Sequence, residues 1–213
     1  MKRLPATLAC VLAPLPALAH PHVFVDAGVS FIFNDAGQLT SVKIEWAYDD
    51  LYTLITLDDL GLDVDGDGII TVAEQEKLVG FDMKWIDGFE GDLYVTLADT
   101  PLILSQPKEY TAELVDGRLI TSHVRTFENP ITLSSETIAL KVYDPTYYSA
   151  YTLDLGAEVI NNTGCNMTQI PADLGKAYDV VENLLYGSNS DDDYPAVGEN
   201  FADTLTLSCE TSS

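Results

Sequence analysis

The chain has 213 residues, and its 34 acidic residues against 10 basic ones give it a formal net charge of −24. This charge argues against nucleic acids and anionic membranes as partners, because their phosphate groups would repel the protein. The length suits one domain, or two small ones, with a sizeable hydrophobic core.

The N-terminal segment has the three parts of a secretory signal peptide. Lys2 and Arg3 begin it with positive charge, an apolar stretch follows, and a small-x-small sequence, Ala17-Leu18-Ala19, ends it. The apolar stretch is short and contains prolines, which disfavours an uncleaved membrane anchor. We predict a signal peptide at residues 1–19, a mature chain that begins at His20, a periplasmic location and no membrane insertion after cleavage.

The mature chain, residues 20–213, is predicted to form a single β-rich domain. Apolar residues alternate along 22–33 and 39–46, which predicts a β-hairpin with one buried face. Helical patterns predict helices at 48–62, 71–89 and 171–186, followed by an acidic loop at 188–200. Further predicted strands span 93–97, 102–104, 110–115, 118–127, 138–142, 151–155 and 201–209.

Short strands at this spacing are typical of a β-sandwich. The predicted fold class is therefore mainly β with inserted helices. It comprises β-sandwich-like sheets, a helix–EF-hand loop–helix insertion at about residues 50–89, and a C-terminal amphipathic helix.

Residues 63–74 match every ligand position of the EF-hand calcium loop. Ca2+ is a hard cation that takes oxygen ligands, and an acidic loop supplies them without strict geometry. The alternative is a solvated Asp-Gly turn that binds no ion. Because the loop occurs singly, we predict a structural rather than a signalling role for Ca2+. The predicted ligands are Asp63, Asp65, Asp67, the carbonyl of Ile69, Thr71 and Glu74.

Two of the three histidines, His20 and His22, lie at the predicted mature N-terminus. The α-amine and imidazole of His20 can chelate one ion together, and His22 points the same way in an extended segment. Such nitrogens suit Cu2+, Ni2+ or Zn2+. Pro21 has no amide hydrogen, which disfavours a square-planar site that uses a deprotonated amide. The alternative is that the histidines merely begin the chain.

Three more residues are less favoured candidates for this transition-metal site. His123 would add a third imidazole, although it lies on a predicted strand, where an ordinary polar role is the favoured interpretation. Asp26, two strand steps beyond His22, or Asp144 would add oxygen ligands.

The mature chain retains two cysteines, Cys165 and Cys209, once Cys10 leaves with the signal peptide. An isolated pair in an oxidising compartment predicts a disulfide. In the chain-entropy model, such a bond would stabilise the fold by about 4 kcal/mol. The competing interpretation is metal ligation by a cysteine.

Several short motifs occur in a fixed order along the chain. They are His-Pro-His-Val-Phe-Val at 20–25, Trp46 followed by Asp49-Asp50, the Asp-Gly-Asp-Gly loop, Pro107-Lys108 and Val-Tyr-Asp-Pro-Thr-Tyr at 142–147. Together they resemble one bacterial family, domain of unknown function 1007, described as a periplasmic component of an uncharacterised ABC-type transport system. The resemblance covers nearly all of the mature chain. It implies a periplasmic protein associated with nickel, cobalt or zinc transporters, and it carries over no established enzymatic activity.

Three functional hypotheses follow from these residues. The leading one is a non-enzymatic periplasmic accessory protein of a transition-metal (Ni, Co, Zn or Cu) transport system, with an inner-membrane metal transporter as partner and a structural Ca2+. The second is a Ca2+-stabilised structural or interaction module without a transition-metal role. The third is a copper-dependent oxidative enzyme, similar to lytic polysaccharide monooxygenases, in which His20 and His123 would hold copper. We recognise no hydrolase-type arrangement of residues and predict no catalytic residue.

Overall fold

The computed structural model describes residues 21–187 and 195–209, with the backbone alone at 185–187. The predicted signal peptide, His20 and most of the predicted acidic loop lie outside these residues. None of the described helices is long and apolar enough to cross a membrane.

Strands dominate the described fold, and three α-helices join them. The elements in chain order are β1 (Val23–Phe33), β2 (Leu39–Tyr48), α1 (Asp50–Leu60), α2 (Val72–Leu78), β3 (Leu93–Leu97), β4 (Thr100–Pro101), β5 (Lys108–Val115), β6 (Arg118–Ile131), β7 (Ile138–Val142), β8 (Ser149–Ile160), β9 (Cys165–Ile170), α3 (Leu174–Gly187) and β10 (Thr204–Cys209).

The strands form two five-stranded sheets. The first has the order β5-β6-β2-β1-β8, and the second has the order β4-β3-β7-β10-β9. All pairs are antiparallel except β1 with β8, which run parallel at one edge of the first sheet. Phe31 and Ile44 of the first sheet share one buried cluster with Leu140 and Leu207 of the second. The predicted mainly β fold with sandwich-like sheets is therefore confirmed.

The predicted N-terminal hairpin is confirmed as β1 and β2, in which buried residues alternate, with some breaks, with mostly half-buried ones. Asn34 forms the turn, because its side-chain oxygen accepts hydrogen bonds from the amides of Ala36 and Gln38 at 3.0 and 2.9 Å. Gly37 completes the turn with a φ of 72°, a conformation that favours glycine. Local turn chemistry and one apolar face were both readable from the sequence.

Helix α1 begins at a cap that also ties it to the first sheet. The Asp49 carboxylate accepts hydrogen bonds from the amide of Tyr52 at 2.9 Å and from the amide of Phe24 at 2.7 Å. The first bond satisfies a free amide of the helix start, and the second fastens the helix to β1. The helix ends at Gly61, which has a φ of 62°. The start of α1 is therefore fixed at one end of the sandwich.

The second predicted helix, at 71–89, is much shorter in the structure. Helix α2 ends at Leu78, and Gly80 follows with a φ of 78°, which interrupts a helix. The helical pattern relied on Val79 and Ile86, and both side chains are exposed. Residues 79–92, which we call the strap, instead cross the inner face of β6 without regular secondary structure.

The remaining differences fall on edge strands and turns. The predicted strand at 102–104 is replaced by the short β4, and only Leu104 forms a bridge there, with Phe127. The predicted strand at 201–209 begins at Thr204, because Gly198–Phe201 forms a 3-10 turn. Strand β9 was not predicted, and β8 is longer than the predicted 151–155. Both lie at sheet edges, and nearly all their residues are exposed or half-buried, so no one-sided apolar alternation marks them.

Cys165 and Cys209 form a disulfide, as predicted, and face each other in register across β9 and β10. The helix predicted at 171–186 is confirmed as α3. Its Ala177 and Val181 pack in a small second cluster with Val197 and Phe201.

Candidate metal centre

The predicted calcium loop connects α1 to α2 at the exposed end of the insertion. Carboxylate oxygens of Asp63, Asp65 and Asp67 lie within 4.8 Å of one another. Across residues 21–187 and 195–209, no other group of three His, Cys, Asp or Glu side chains offers ligand atoms this close together. The structure therefore brings together the three aspartates that the sequence predicted as ligands.

Hydrogen bonds within the loop hold two of these carboxylates in place. The Asp63 carboxylate accepts from the amide of Gly68 at 3.1 and 3.2 Å, and the Asp67 carboxylate accepts from the amide of Ile69 at 2.8 Å. Gly66 and Gly68 have φ values of 70° and 75°, which side chains with a Cβ rarely adopt. The glycine positions of the motif are thus required by the backbone that wraps around the carboxylates.

Glu74, the last residue of the loop, folds back onto its beginning. Its Oε1 accepts a hydrogen bond from the amide of Asp63 at 3.0 Å, and its Oε2 accepts from the amide and hydroxyl of Thr71 at 2.9 and 2.7 Å. The Thr71 hydroxyl bond, followed by the two backbone bonds, lowers the pKa of Glu74. Glu74 is therefore ionised at neutral pH and closes the loop from its far end.

The donor set of the loop fits Ca2+. Every predicted ligand atom is an oxygen, which suits a hard cation better than a transition metal. Ile69 and Thr71 are exposed, whereas Ile70 between them packs against the main core and anchors the loop. The loop is thus open to solvent at its ligands and fixed to the fold by one apolar side chain.

His22 lies at the exposed beginning of β1. Its amide donates to the carbonyl of Tyr148 at 2.8 Å, and the two rings lie 4.9 Å apart. His20, the other predicted ligand, lies outside the described residues.

Asp26 and Asp144 both accept structural hydrogen bonds. Asp26 pairs with Arg118 at 2.7 Å and accepts from the hydroxyl of Thr152 at 3.1 Å. Both carboxylate oxygens of Asp144 accept hydrogen bonds from residues 146–149, which shape the entry to β8. These bonds explain both carboxylates without a metal.

His123 is not brought to His22. In the first sheet it pairs with Ile44, which in turn pairs with Val29 on β1. Val29 follows His22 along the same strand by about 23 Å, given the rise of a β-strand. The His123 side chain is also 0% exposed, while His22 is exposed. The prediction that His123 is a further ligand beside His22 is therefore wrong, because the alternation of β6 turns its ring into the sandwich.

The interior around His123 holds several unsatisfied polar groups. Trp46 and Trp85 meet the imidazole edge-on, with ring centroids 4.9 and 5.4 Å away. Neither ring nitrogen of His123 has a hydrogen-bond partner among the described groups, and the same is true of the Trp46 indole nitrogen. Burial, and then the charge of Arg125, lowers the pKa of His123 to about 3. The imidazole is therefore neutral at physiological pH.

Two buried carboxylates of the strap accompany this histidine. Asp82 accepts hydrogen bonds from the hydroxyls of Tyr48 and Thr121 at 3.0 and 2.8 Å. Asp92 accepts from the hydroxyl of Tyr151 at 2.8 Å. Burial raises the pKa of Asp82, and it raises the pKa of Asp92 to about 7. The second oxygen of each carboxylate has no partner among the described groups.

Comparison with known proteins then identifies the family. A model of the family "Protein of unknown function (DUF1007)" matches residues 5–209. The chain belongs to this family. A curated relative described as "Uncharacterized protein", from Haemophilus influenzae (strain ATCC 51907 / DSM 11121 / KW20 / Rd), is 25% identical over 198 residues, which cover 91% of this chain and 92% of the relative. The resemblance that the sequence motifs indicated is thus confirmed at the level of the family.

The buried polar groups of this DUF1007 chain were missed by sequence reasoning, although one signal was present. Thr121, His123 and Arg125 recur at every second position of β6, which places them on one face of the strand. All three are buried, and Arg125 is 1% exposed. A polar row on the inward face of a central strand indicates that another polar segment covers it. Asp82 and Asp92 carried no such signal, because the strap has no periodic pattern.

Proposed function

We propose that this protein binds Ca2+ in its Asp63–Glu74 loop and acts, outside the cytoplasm, as a non-enzymatic accessory protein of a transition-metal transport system. The observation that carries the calcium part is the convergence of three aspartate carboxylates within 4.8 Å. Four acidic side chains, with Glu74 among them, repel one another in such a loop, and a divalent cation relieves that repulsion.

The proposed location outside the cytoplasm is supported by the disulfide between Cys165 and Cys209, since such bonds are rare in reducing compartments. The N-terminal segment, with Lys2 and Arg3 before an apolar stretch, supports export in the same direction. In that setting Ca2+ is plentiful, and a weak site of about 10⁻⁴–10⁻³ M suffices to stay occupied.

The transition-metal part of the proposal rests on His20 and His22. Export and cleavage after residue 19 would free an α-amine on His20, beside two imidazoles. His22 supports this arrangement, because it lies exposed immediately before β1. Nitrogen donors of this kind suit Ni2+, Zn2+ or Cu2+, whereas the oxygen-only loop suits Ca2+. Two different ions would therefore occupy two separate sites, one in the 63–74 loop and one at the histidines that precede β1.

Calorimetric titration of the mature protein with Ca2+ tests the loop. Glu74→Gln removes one ligand charge and should weaken Ca2+ binding at least about tenfold, equivalent to about 1.4 kcal/mol. Glu76→Gln, an exposed carboxylate two residues further along α2, is the matched control and should bind like wild type. Wild-type protein that binds no Ca2+, or equal affinities of the two variants, would overturn the assignment.

Elemental analysis of the protein purified from the periplasm, followed by titration with Ni2+, Zn2+ and Cu2+, tests the histidines. The double variant His20→Ala with His22→Ala should lose transition-metal binding and keep its Ca2+ affinity, while Glu74→Gln should show the reverse. Transition-metal binding that persists in the histidine variant would remove the N-terminal site from the proposal.

A second candidate function, a Ca2+-stabilised interaction module, is favoured by one observation on α1. Leu51, Leu54 and Ile55 recur at helical spacing on its outer face and are 62%, 65% and 51% exposed. Large exposed apolar side chains in one patch are typical of surfaces that bind another protein. Ca2+ binding without any transition-metal binding, in the two titrations above, would favour this candidate.

A further inference from the structure

Residues of the strap contact each member of the buried polar row of β6, which consists of Thr121, His123 and Arg125. Asp82 accepts a hydrogen bond from the hydroxyl of Thr121 at 2.8 Å. Trp85 covers His123, with ring centroids 5.4 Å apart. One segment of irregular backbone thus seals the imidazole of His123 inside the sandwich.

The next residue of the row, Arg125, is held by the same segment. Its guanidinium donates to the backbone carbonyl of Glu90 and lies over the Trp85 ring, 5.2 Å from the centroid. The guanidinium also donates to the carbonyl of Ser105 at 2.7 Å, outside the strap. Arg125 therefore keeps the Ser105 carbonyl as a hydrogen-bond partner even without the strap.

Closure of the strap leaves polar groups unsatisfied. The Trp46 indole nitrogen, both ring nitrogens of His123, and one oxygen each of Asp82 and Asp92 are buried without a partner among the described groups. Each such group costs about 1–3 kcal/mol relative to its hydrated state. These costs oppose the gain from burying Trp85 and favour opening of the strap.

The strap is joined directly to the calcium loop. Glu74 lies in the first turn of α2, and Leu78, the last residue of that helix, is fully buried. Gln75 of the same helix donates to the carbonyl of Ala112 on β5. The strap begins at the next residue after α2, so any force that fixes Glu74 and α2 also fixes the position from which the strap enters the sandwich.

We propose that the strap is a Ca2+-controlled cover of His123: Ca2+ in the Asp63–Glu74 loop holds the strap closed, and loss of Ca2+ opens it and exposes the imidazole. This inference rests on the proposed Ca2+ site and deepens it, because it gives the ion a regulatory consequence. In the closed strap no ion reaches His123; in the open strap the ring is an accessible neutral imidazole, the form that ligates transition metals.

Tryptophan quenching tests the inference, since the chain has 2 tryptophans. Trp46→Phe leaves Trp85 of the strap as the only indole, and Trp85→Phe leaves Trp46 of β2. Acrylamide quenching of Trp85 should rise at least about twofold when a chelator removes Ca2+, because Trp85 moves with the strap. Quenching of Trp46 should rise by much less, because Trp46 belongs to β2 and only borders His123. A parallel rise for both tryptophans would mean general loosening of the fold and would overturn the strap.

Hydrogen exchange and three variants complete the test. Amides of 79–92 should exchange faster in Glu74→Gln than in Glu76→Gln, with Ca2+ present, while amides of β1 and β2 should not differ. Asp82→Asn should weaken Ca2+ binding about threefold or more, because coupling between strap and loop is reciprocal.

The two proposals fail differently. Wild-type protein that binds no Ca2+ would overturn the Ca2+ part of the proposed function itself. Normal Ca2+ binding with unchanged Trp85 quenching, unchanged exchange in the strap and full affinity in Asp82→Asn would leave the Ca2+ site standing and overturn the coupling alone.

Discussion

The indole of Trp85 meets the imidazole of His123 edge-on, with their ring centroids 5.4 Å apart and their planes at 87°. Trp85 comes from the strap, and His123 comes from the inward face of β6. This contact completes the burial that lowers the pKa of His123 to about 3. At the far end of the same strap, burial raises the pKa of Asp92 to about 7. Burial therefore favours the neutral form of both groups, which lowers the pKa of the base and raises the pKa of the acid.

These two pKa shifts predict opposite effects of pH on the free energy of unfolding, which partly cancel. Between about pH 4 and 6.5, the unfolded state protonates His123 and ionises Asp92, whereas the folded state does the reverse. His123 makes the fold lose stability as the pH falls through this window. Asp92 makes the fold lose stability as the pH rises through it. The two contributions oppose each other in the wild-type protein.

Single substitutions should expose each contribution. Asp92→Asn should steepen the loss of stability on acidification below pH 6.5 by up to about 1.4 kcal/mol per pH unit, and His123→Gln should change the slope by a similar amount in the opposite direction. Urea unfolding at several pH values between 4 and 7 measures both slopes. Three parallel profiles would contradict the placement of these two groups.

Arg118 should be worth far more to stability than an ordinary surface cation. Its guanidinium donates to the carbonyls of Tyr48 and Ala47 and to the carboxylate of Asp26, each at 2.7 Å. Arg118→Met should cost about 2–3 kcal/mol, because these acceptors lose charged hydrogen bonds. The matched control is Lys43→Met, whose exposed ion pair with Glu45 at 3.8 Å should be worth under about 1 kcal/mol. Similar losses for both variants in denaturant unfolding would refute the argument.

Loss of the disulfide should destabilise the protein without altering Ca2+ affinity. Cys165 and Cys209 close a loop with a sequence separation of 44, and the double substitution to serine should cost about 2–4 kcal/mol. Thermal unfolding of the variant, and of wild type with a reductant as control, measures the effect. A change in Ca2+ affinity would contradict the separation of this edge from the loop.

Gly198 should not tolerate even a methyl group. A Cβ built there would lie 1.8 Å from the carbonyl oxygen of Asp144, a backbone atom that cannot swing aside. Gly198→Ala should therefore destabilise the fold by about 3 kcal/mol. Gly164→Ala is the control, because its Cβ would meet nothing closer than 3.6 Å. Thermal unfolding that ranks the two variants equally would show that the backbone relaxes there.

Much of the architecture was predictable because its causes are local. One apolar face and the turn at residues 34–37 specify the hairpin of β1 and β2. The end of α2 was not predictable from apolar spacing, since Gly80 interrupts the helix and the residues beyond it serve contacts with β6. The edge strand β9 was not predictable either, because most of its residues are exposed. Its sequence therefore has no alternation of buried apolar residues.

The calcium loop illustrates what the sequence by itself determined. All its predicted ligands lie within one short segment, 63–74, so residue type and spacing alone predict the ion and the roles of its residues. The family and the cysteine pair were readable for the same reason, from contiguous motifs and from a count. His123 illustrates what only the tertiary structure decided. Its burial, its lowered pKa and its separation from His22 arise from contacts with Trp46, Trp85 and Arg125, and those contacts exist only after distant segments have folded together.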